Sequence, residues 1–328
     1  MRKLRIAHIS DLHLCPLDRI PISRTTSYHQ DVRDELMDLI RKVNESGAEY
    51  LFISGDINHI KTASAYQSRD INYYTEIFRH LKLKTLAIPG NHDLPFSSFS
   101  EVEKTPYRNL INSANITDLS NKVLQLTEEI KVIGIPFYPT AHALCLLGQI
   151  PQKKTPNEIT ITLVHLDALP EAIPLPWKII SYADLCAAGP NVDLFLLGHV
   201  HLSFAPWTNG NQWISKPWSI GRIAKDYFNK ENPLKLNHKP QLSLIDIDPS
   251  SPKPISINYI ELEHKPFSEV FVEEALKKQI EKSEKVTNYL QTINEQFKDW
   301  NPSLMNPDQL KNQLDEEIRL VIEEYLPG

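Results

Sequence analysis

Short apolar runs along this sequence end abruptly in acidic, amide and imidazole side chains. The run 85–88 ends in a Pro-Gly pair, and Asn91 and His92 follow at once. Because the run is apolar throughout rather than alternating, it predicts a buried parallel strand. Ligand sites in open α/β sheets form at the carboxyl ends of the strands. We therefore expect this polar cluster to belong to a functional site.

The same arrangement occurs twice earlier in the chain. Asp11, Asp56 and Asn91 each follow a predicted strand, at spacings that suit one βαβ unit each. The predicted elements are strands at 4–9, 50–53 and 85–88, with helices at 28–45 and 71–83 between them.

The second half is richer in strands and adds three more histidines. His165 follows the run 159–164, and His199 and His201 follow the run 192–197. If these segments are extended, Asp11 and His13 point to the same side, and so do His199 and His201. Further predictions are a helix at 101–113, a loop at 169–177 and strands at 123–126, 130–135, 212–214, 241–247 and 255–260.

Charge and composition limit the function classes. The net charge is −6, of which residues 264–328 carry −5 and residues 1–263 carry −1. A protein that binds nucleic acid through bulk charge would be basic. Three widely separated cysteines and the absence of a membrane-spanning run favour a cytoplasmic protein with no membrane association.

The polar residues after the strands are oxygen and imidazole donors without a thiolate. Such a set suits Mn, Fe or Zn, and its oxygen content favours Mn. Two divalent ions about 3.5–4 Å apart can hold the attacking and leaving oxygens of a phosphoryl transfer.

Taken in order, the motifs Asp-x-His, Gly-Asp, Gly-Asn-His-Asp, a single His and Gly-His-x-His resemble the calcineurin-like metallophosphoesterases over residues 4–262. The resemblance implies an α/β fold: a β-sandwich flanked by helices over residues 1–264, with a helical appendage at 265–328. His92 would be the general acid or would stabilise the phosphate. The resemblance also implies two metal ions bridged by Asp56. One ion would be held by Asp11, His13, Asp56 and His201, and the other by Asp56, Asn91, His165 and His199.

Three further features resemble SbcD-type DNA repair nucleases. His59 stands three residues after Asp56, where such nucleases can carry a second active-site histidine, although a solvent-facing loop histidine is equally compatible. The segment 215–222 ends in Arg222, a candidate phosphate contact or a surface ion-pair partner. Residues 266–271 resemble the segment by which such chains leave the phosphoesterase domain.

This resemblance implies a DNA nuclease subunit with an SbcC-like ATPase as its partner. The alternatives are a small-molecule phosphodiesterase acting on cyclic nucleotides and a non-catalytic metal-binding scaffold. Exo- or endonuclease action and homodimerisation stay open. The appendage shows two amphipathic helical patterns, which predict either a cap on the enzyme domain or a partner-docking arm.

Overall fold

The computed structural model describes residues 2–95, 98–171, 179–223 and 238–272, together with residues 274, 275 and 278. Most of the predicted appendage at 265–328 lies outside the described residues. Its two amphipathic patterns and the domain division at 264/265 therefore stay predictions.

The described strands and helices follow one another in an alternating order in the first part of the chain and become mostly β afterwards. The strands are β1 Leu4–Ile9, β2 Tyr50–Ser54, β3 Lys84–Ile88, β4 Thr117–Asp118, β5 Val123–Gln125, β6 Ile130–Ile135, β7 Ile159–His165, β8 Ala168–Leu169, β9 Ile180–Ser181, β10 Leu194–Gly198, β11 Phe204–Thr208, β12 Trp213–Lys216, β13 Gln241–Ile247 and β14 Ile255–Glu261. The helices are α1 Tyr28–Glu45, α2 Ser68–Phe78, α3 Pro106–Ser113, α4 Thr140–Gly148, α5 Tyr182–Ala188 and α6 Phe267–Val270, with 3₁₀ turns at Ala63–Ala65 and Phe99–Lys104.

Two six-stranded sheets form the centre of the molecule. The first has the order β14-β13-β1-β2-β3-β4 and the second the order β11-β12-β10-β7-β6-β5. Strands β1, β2 and β3 are parallel, and so are β6, β7, β10 and β12. Parallel pairing places the carboxyl ends of several strands at one edge of each sheet.

Buried aliphatic side chains fill three layers. Ile6 and Phe52 of the first sheet pack with Ile161 and Leu196 of the second in a core between the sheets. Helices α1, α2 and α3 cover the outer face of the first sheet, and α4 and α5 cover the outer face of the second. This arrangement confirms the predicted α/β sandwich flanked by helices.

Tyrosine hydroxyls from the helical side secure the loop that follows β1. Tyr28 of α1 donates to the carbonyl of His13 at 2.9 Å, and Tyr74 of α2 donates to the carbonyl of Cys15 at 2.7 Å. Both tyrosines are buried. Because buried carbonyls need a donor, these contacts fix the loop in one conformation.

Several element boundaries differ from the predicted ones for local reasons. Helix α2 begins at Ser68 because Gln67 and Asp70 form a capping box before it. The predicted helix at 101–113 is split, since the Thr105 hydroxyl caps α3 by accepting from the amide of Arg108 at 3.2 Å. Helices α4 and α5 and strand β11 were not predicted. None of the described helices is both long and apolar enough to cross a membrane.

The two sheets approach each other closely at Gly134 of β6, which provides a test of the packing. A Cβ there would lie 2.8 Å from both the carbonyl carbon of Leu119 and Cγ2 of Ile88. We expect Gly134→Ala to destabilise the protein by about 1–3 kcal/mol, because overpacking forces a backbone shift. Urea denaturation measures this change.

The matched control is Gly148→Ala at the end of α4, where the nearest atom to a new Cβ is the carbonyl oxygen of Ala188 at 3.6 Å. This substitution should be neutral or stabilising, since alanine is the better helix former. Equal urea midpoints for the two variants would contradict the close approach of the sheets.

Candidate metal centre

The carboxyl ends of β1, β2 and β3 meet those of β7 and β10 at one edge of the sandwich. A hydrogen bond joins the two sheets there: Nδ1 of His165, at the end of β7, donates to the carbonyl of Ser54, at the end of β2, at 2.7 Å. This bond leaves Nε2 of His165 facing the polar residues that follow β2 and β3. The bond therefore determines which ring nitrogen is available to a ligand.

The first donor group combines residues from both halves of the chain. Asp11, His13, Asp56 and His201 are all buried, and their donor atoms lie within 4.8 Å of one another. Nε2 of His13 and Nε2 of His201 are 2.9 Å apart. Oδ1 of Asp11 lies 3.8 Å from Nε2 of His201.

The second donor group shares Asp56 with the first. Asp56, His165 and His199 bring their donor atoms within 4.8 Å of one another. The side-chain oxygen of Asn91 lies 3.2 Å from Nε2 of His165 and so joins this group. The structure thus brings together all seven predicted ligands in the two predicted sets; their role as ligands stays a prediction.

Asp56 lies between the two groups. Its Oδ2 is 3.4 Å from Nε2 of His165 and 3.7 Å from Nε2 of His13. Its Oδ1 accepts a hydrogen bond from the amide of His92 at 2.7 Å. One oxygen of this carboxylate therefore faces histidines of both groups, which suits the predicted bridging role.

The backbone at the site is unusual. Asp11, His13, Asp56 and His199 have φ angles of 57°, 49°, 53° and 88°. Residues other than glycine seldom adopt this left-handed region, and the surrounding structure must hold them there. The expectation that Asp11 and His13, and likewise His199 and His201, lie on extended segments is therefore wrong. The left-handed backbone, rather than strand alternation, directs these side chains.

Asp93 orders the loops that carry the donors. Its carboxylate accepts hydrogen bonds from the amides of Ile57, Asn58 and Gly90 at 3.1, 2.8 and 2.9 Å. It therefore ties the loop after β2 to the turn after β3. Burial and the nearby charge of Asp56 raise the pKa of Asp93 to about 7. In the sequence, Asp93 is distinguished only as the last residue of the Gly-Asn-His-Asp motif.

Burial and close packing perturb the donors themselves. Burial opposes ionisation of Asp56, but His165 and His92 hold the pKa of Asp56 well below its ordinary value. Burial lowers the pKa of His13, and His201 lowers it further. Burial also disfavours a charged His165, yet Asp56 raises the pKa of His165 to about 9. A metal ion would displace that proton.

This chemistry fits divalent metal ions. The donors are ionised carboxylates, an amide oxygen and imidazoles, and the strongly lowered pKa leaves His13 in the neutral form that a metal needs. Asp167 lies 3.1 Å from Nε2 of His199, a contact of the kind that orients metal-bound histidines. Asp167 was not predicted as a site residue, because it lies outside every motif in the sequence.

Two further histidines lie beside the first donor group. Nδ1 of His59 is 3.4 Å from Nδ1 of His13, and the rings of His59 and His92 stack with centroids 5.7 Å apart. Nδ1 of His92 donates to the carbonyl of His59 at 2.7 Å. The structure thus places both predicted catalytic histidines at the site.

Arg222 requires a correction. Its side chain is fully buried, and Nη1 donates to the carboxylate of Glu35 at 3.1 Å and to the carbonyl of Lys265 at 2.8 Å. Because no part of this side chain is exposed, it has no surface on which to contact a substrate phosphate. The predicted phosphate contact is replaced by a buried ion pair with α1, and the alternative of a surface ion pair is wrong as well.

Comparison with known families agrees with this geometry. The family model of the calcineurin-like phosphoesterases matches residues 4–203. The chain belongs to the calcineurin-like phosphoesterase family. It is accordingly a metal-dependent phosphoester hydrolase, and the two donor groups are the predicted ligands of its dimetal site. No curated protein matches the chain.

Solved structures similar to this phosphoesterase include three with assigned names. A putative 5'-nucleotidase from Staphylococcus aureus is 13% identical, with a TM-score of 0.48, and the alignment covers 85% of this chain and 58% of that one. A dimetal phosphatase from Danio rerio is 12% identical (TM-score 0.46; 80% and 99% covered). The calcineurin-like phosphoesterase YfkN from Bacillus subtilis is 16% identical (TM-score 0.44; 88% and 99% covered). Similarities at this level carry no argument about the substrate.

The shared carboxylate provides a direct test of the dimetal site. We expect the wild-type chain to hold two equivalents of Mn after loading and gel filtration, and Asp56→Asn to hold less than one. The reason is that the amide removes the negative charge common to both groups. Plasma mass spectrometry of the desalted protein measures the metal content.

Asp118→Asn is the matched control, because Asp118 is also buried but pairs with Arg108 and belongs to neither donor group. It should keep both equivalents. Two equivalents of Mn in Asp56→Asn would contradict the bridging role.

Proposed function

We propose that this phosphoesterase is a phosphodiesterase that cleaves DNA, with Mn as its metal. The observation that carries the proposal is the stacked pair of His59 and His92 beside the donor groups, because neither residue is a member of the two predicted ligand sets. Two extra imidazoles suit a substrate with a poor leaving group and a second ester substituent, as in a nucleic-acid strand.

The metal ions, when bound, would supply Lewis-acid activation of the phosphate and of the attacking water. The chain itself must then provide a proton for the leaving oxygen. Nδ1 of His92 is committed to the carbonyl of His59, so Nε2 is the nitrogen that can carry and release a proton. In the metal-free chain burial lowers the pKa of His92, whereas Asp56 opposes that change. A lowered pKa makes the protonated ring a stronger acid.

His59 contributes in two ways. Its carbonyl fixes the tautomer and the orientation of His92, and its ring lies parallel to the His92 ring, with an angle of 8° between the planes. The ring is half-buried, so one part of it faces outward. We propose that this outward part contacts the DNA strand next to the scissile phosphate, and that His59 therefore distinguishes DNA from small esters.

Charge supports a role for a partner in holding DNA. Residues 1–263 carry a net charge of −1 and the appendage carries −5, so the chain has no excess positive charge to attract a polyanion. We propose that an SbcC-like ATPase partner supplies the positively charged surface that binds DNA, and that the appendage is the element that binds this ATPase. The same charge balance favours the second candidate function, hydrolysis of a small cyclic nucleotide, which needs no extended basic surface.

The role of His92 as the acid can be tested by replacement. We expect His92→Ala to lower DNA cleavage with Mn on the order of 10²-fold or more, since it removes the proton donor. Its Mn content should stay at the wild-type value, because His92 is in neither predicted ligand set and the variant keeps the backbone amide that contacts Asp56. His80→Ala, at an exposed histidine after α2, is the control and should cleave normally. Wild-type rates for His92→Ala would exclude the proposed role.

The choice of substrate can be tested with three substrates and one variant. We expect the wild type with Mn to turn over linear DNA faster than cyclic AMP. His59→Ala should lose more activity on DNA than on bis-p-nitrophenyl phosphate, because a small activated ester does not reach beyond the metals. Faster turnover of cyclic AMP than of DNA would favour the second candidate function. Equal losses of activity by His59→Ala on DNA and on bis-p-nitrophenyl phosphate would show that His59 has no role in recognising DNA.

A further inference from the structure

A lysine lies inside the metal centre. Lys216 is the last residue of β12 and is 1% exposed. Its Nζ is 3.4 Å from Oδ2 of Asp11, 3.4 Å from the hydroxyl of Ser10 and 3.1 Å from the carbonyl of Pro217. The backbone amide of Lys216 donates to the hydroxyl of Tyr259 at 2.8 Å, which fixes the end of the strand. A positive charge is therefore held against a predicted metal ligand.

The two oxygens of Asp11 have different neighbours. Oδ1 accepts from the amide of His199 at 2.9 Å and faces Nε2 of His201 at 3.8 Å, on the side of the first donor group. Oδ2 faces the ammonium of Lys216. Oδ1 is therefore the oxygen that faces His201 of the first donor group, whereas Oδ2 is engaged by an internal cation.

We propose that Lys216 is a positioning residue that sets the metal affinity of the first donor group. Its ammonium lies beside Oδ2 of Asp11. The ion that Asp11, His13, Asp56 and His201 would hold would for this reason be the more weakly bound of the two. The proposal rests on the dimetal site and is independent of the choice between DNA and a small ester.

The direction of the effect follows from two physical arguments. A cation close to the site repels a divalent ion, and the repulsion is strong because both charges are buried. In the metal-free protein the same cation compensates the buried Asp11 carboxylate, which would be costly to leave unpaired. Removing the ammonium destabilises the metal-free state and relieves repulsion in the loaded state. Both changes favour tighter binding.

The test measures Mn binding to the full-length, metal-stripped chain by isothermal titration calorimetry at constant pH. Lys216→Met and Lys216→Gln should bind the weaker Mn equivalent about tenfold more tightly or better, whereas Lys216→Arg should stay near the wild type because it retains the charge. Lys131→Met is the matched control. Lys131 is also buried, but it pairs with Glu158, and neither residue belongs to a donor group.

Thermal unfolding separates this role from simple support of the fold. Metal-free Lys216→Met should melt below the metal-free wild type, and the difference should shrink when both are saturated with Mn. A lysine that only supported the fold would lower both melting temperatures equally and leave Mn affinity unchanged or weaker. Unchanged or weaker Mn binding by the neutral variants, or equal tightening in Lys131→Met, would overturn the proposal. If Lys216→Met does not fold, the Gln variant decides.

Discussion

The metal centre depends on one buried carboxylate, that of Asp56 in the turn after β2. One of its oxygens accepts from the amide of His92, and the other faces His13 and His165, which come from the loop after β1 and from the second sheet. A single anion thus connects two loops, two sheets and both donor groups. An isolated buried carboxylate would be very unfavourable, so the anion and the imidazoles around it require one another until metal ions take over the compensation.

Bringing these side chains together requires a left-handed backbone conformation that residues other than glycine seldom adopt. Four of the ligand positions have left-handed φ angles. A Cβ at Gly90 would also approach the amide and carboxylate of Asp56, and one at Gly198 would approach Nδ1 of His165. The hydrogen bonds to Asp93 and the tyrosine hydroxyls behind the first loop hold this arrangement in place. Local strain of this kind is often found at functional sites, where the surrounding fold stabilises it.

The electrostatics divide the centre into two unequal halves. Asp56 serves both donor groups, whereas Asp11 serves one and shares its charge with Lys216. On the side of the first group lies the pair of His59 and His92, which is the basis for proposing a phosphodiester substrate. The sequence as a whole does not carry an excess of positive charge, since its net charge is −6. The proposed role of a partner in holding DNA follows from this charge balance and concerns substrate binding rather than the metal centre.

The sequence by itself determined the alternating strands and helices of the first half and nearly all donors, because each donor directly follows an apolar strand whose carboxyl end must lie at the sheet edge. It could not determine the left-handed backbone, since φ angles depend on the contacts of the folded loops. Only the tertiary structure decided the directions of two positively charged side chains, those of Lys216 and Arg222. Arg222 turns away to Glu35 of α1, whereas Lys216 turns inward to Asp11. Lys216 is the last residue of β12, and Arg222 comes after the strand. The alternation of side chains along a strand stops where the strand ends, so the sequence pattern does not indicate which way these two side chains point.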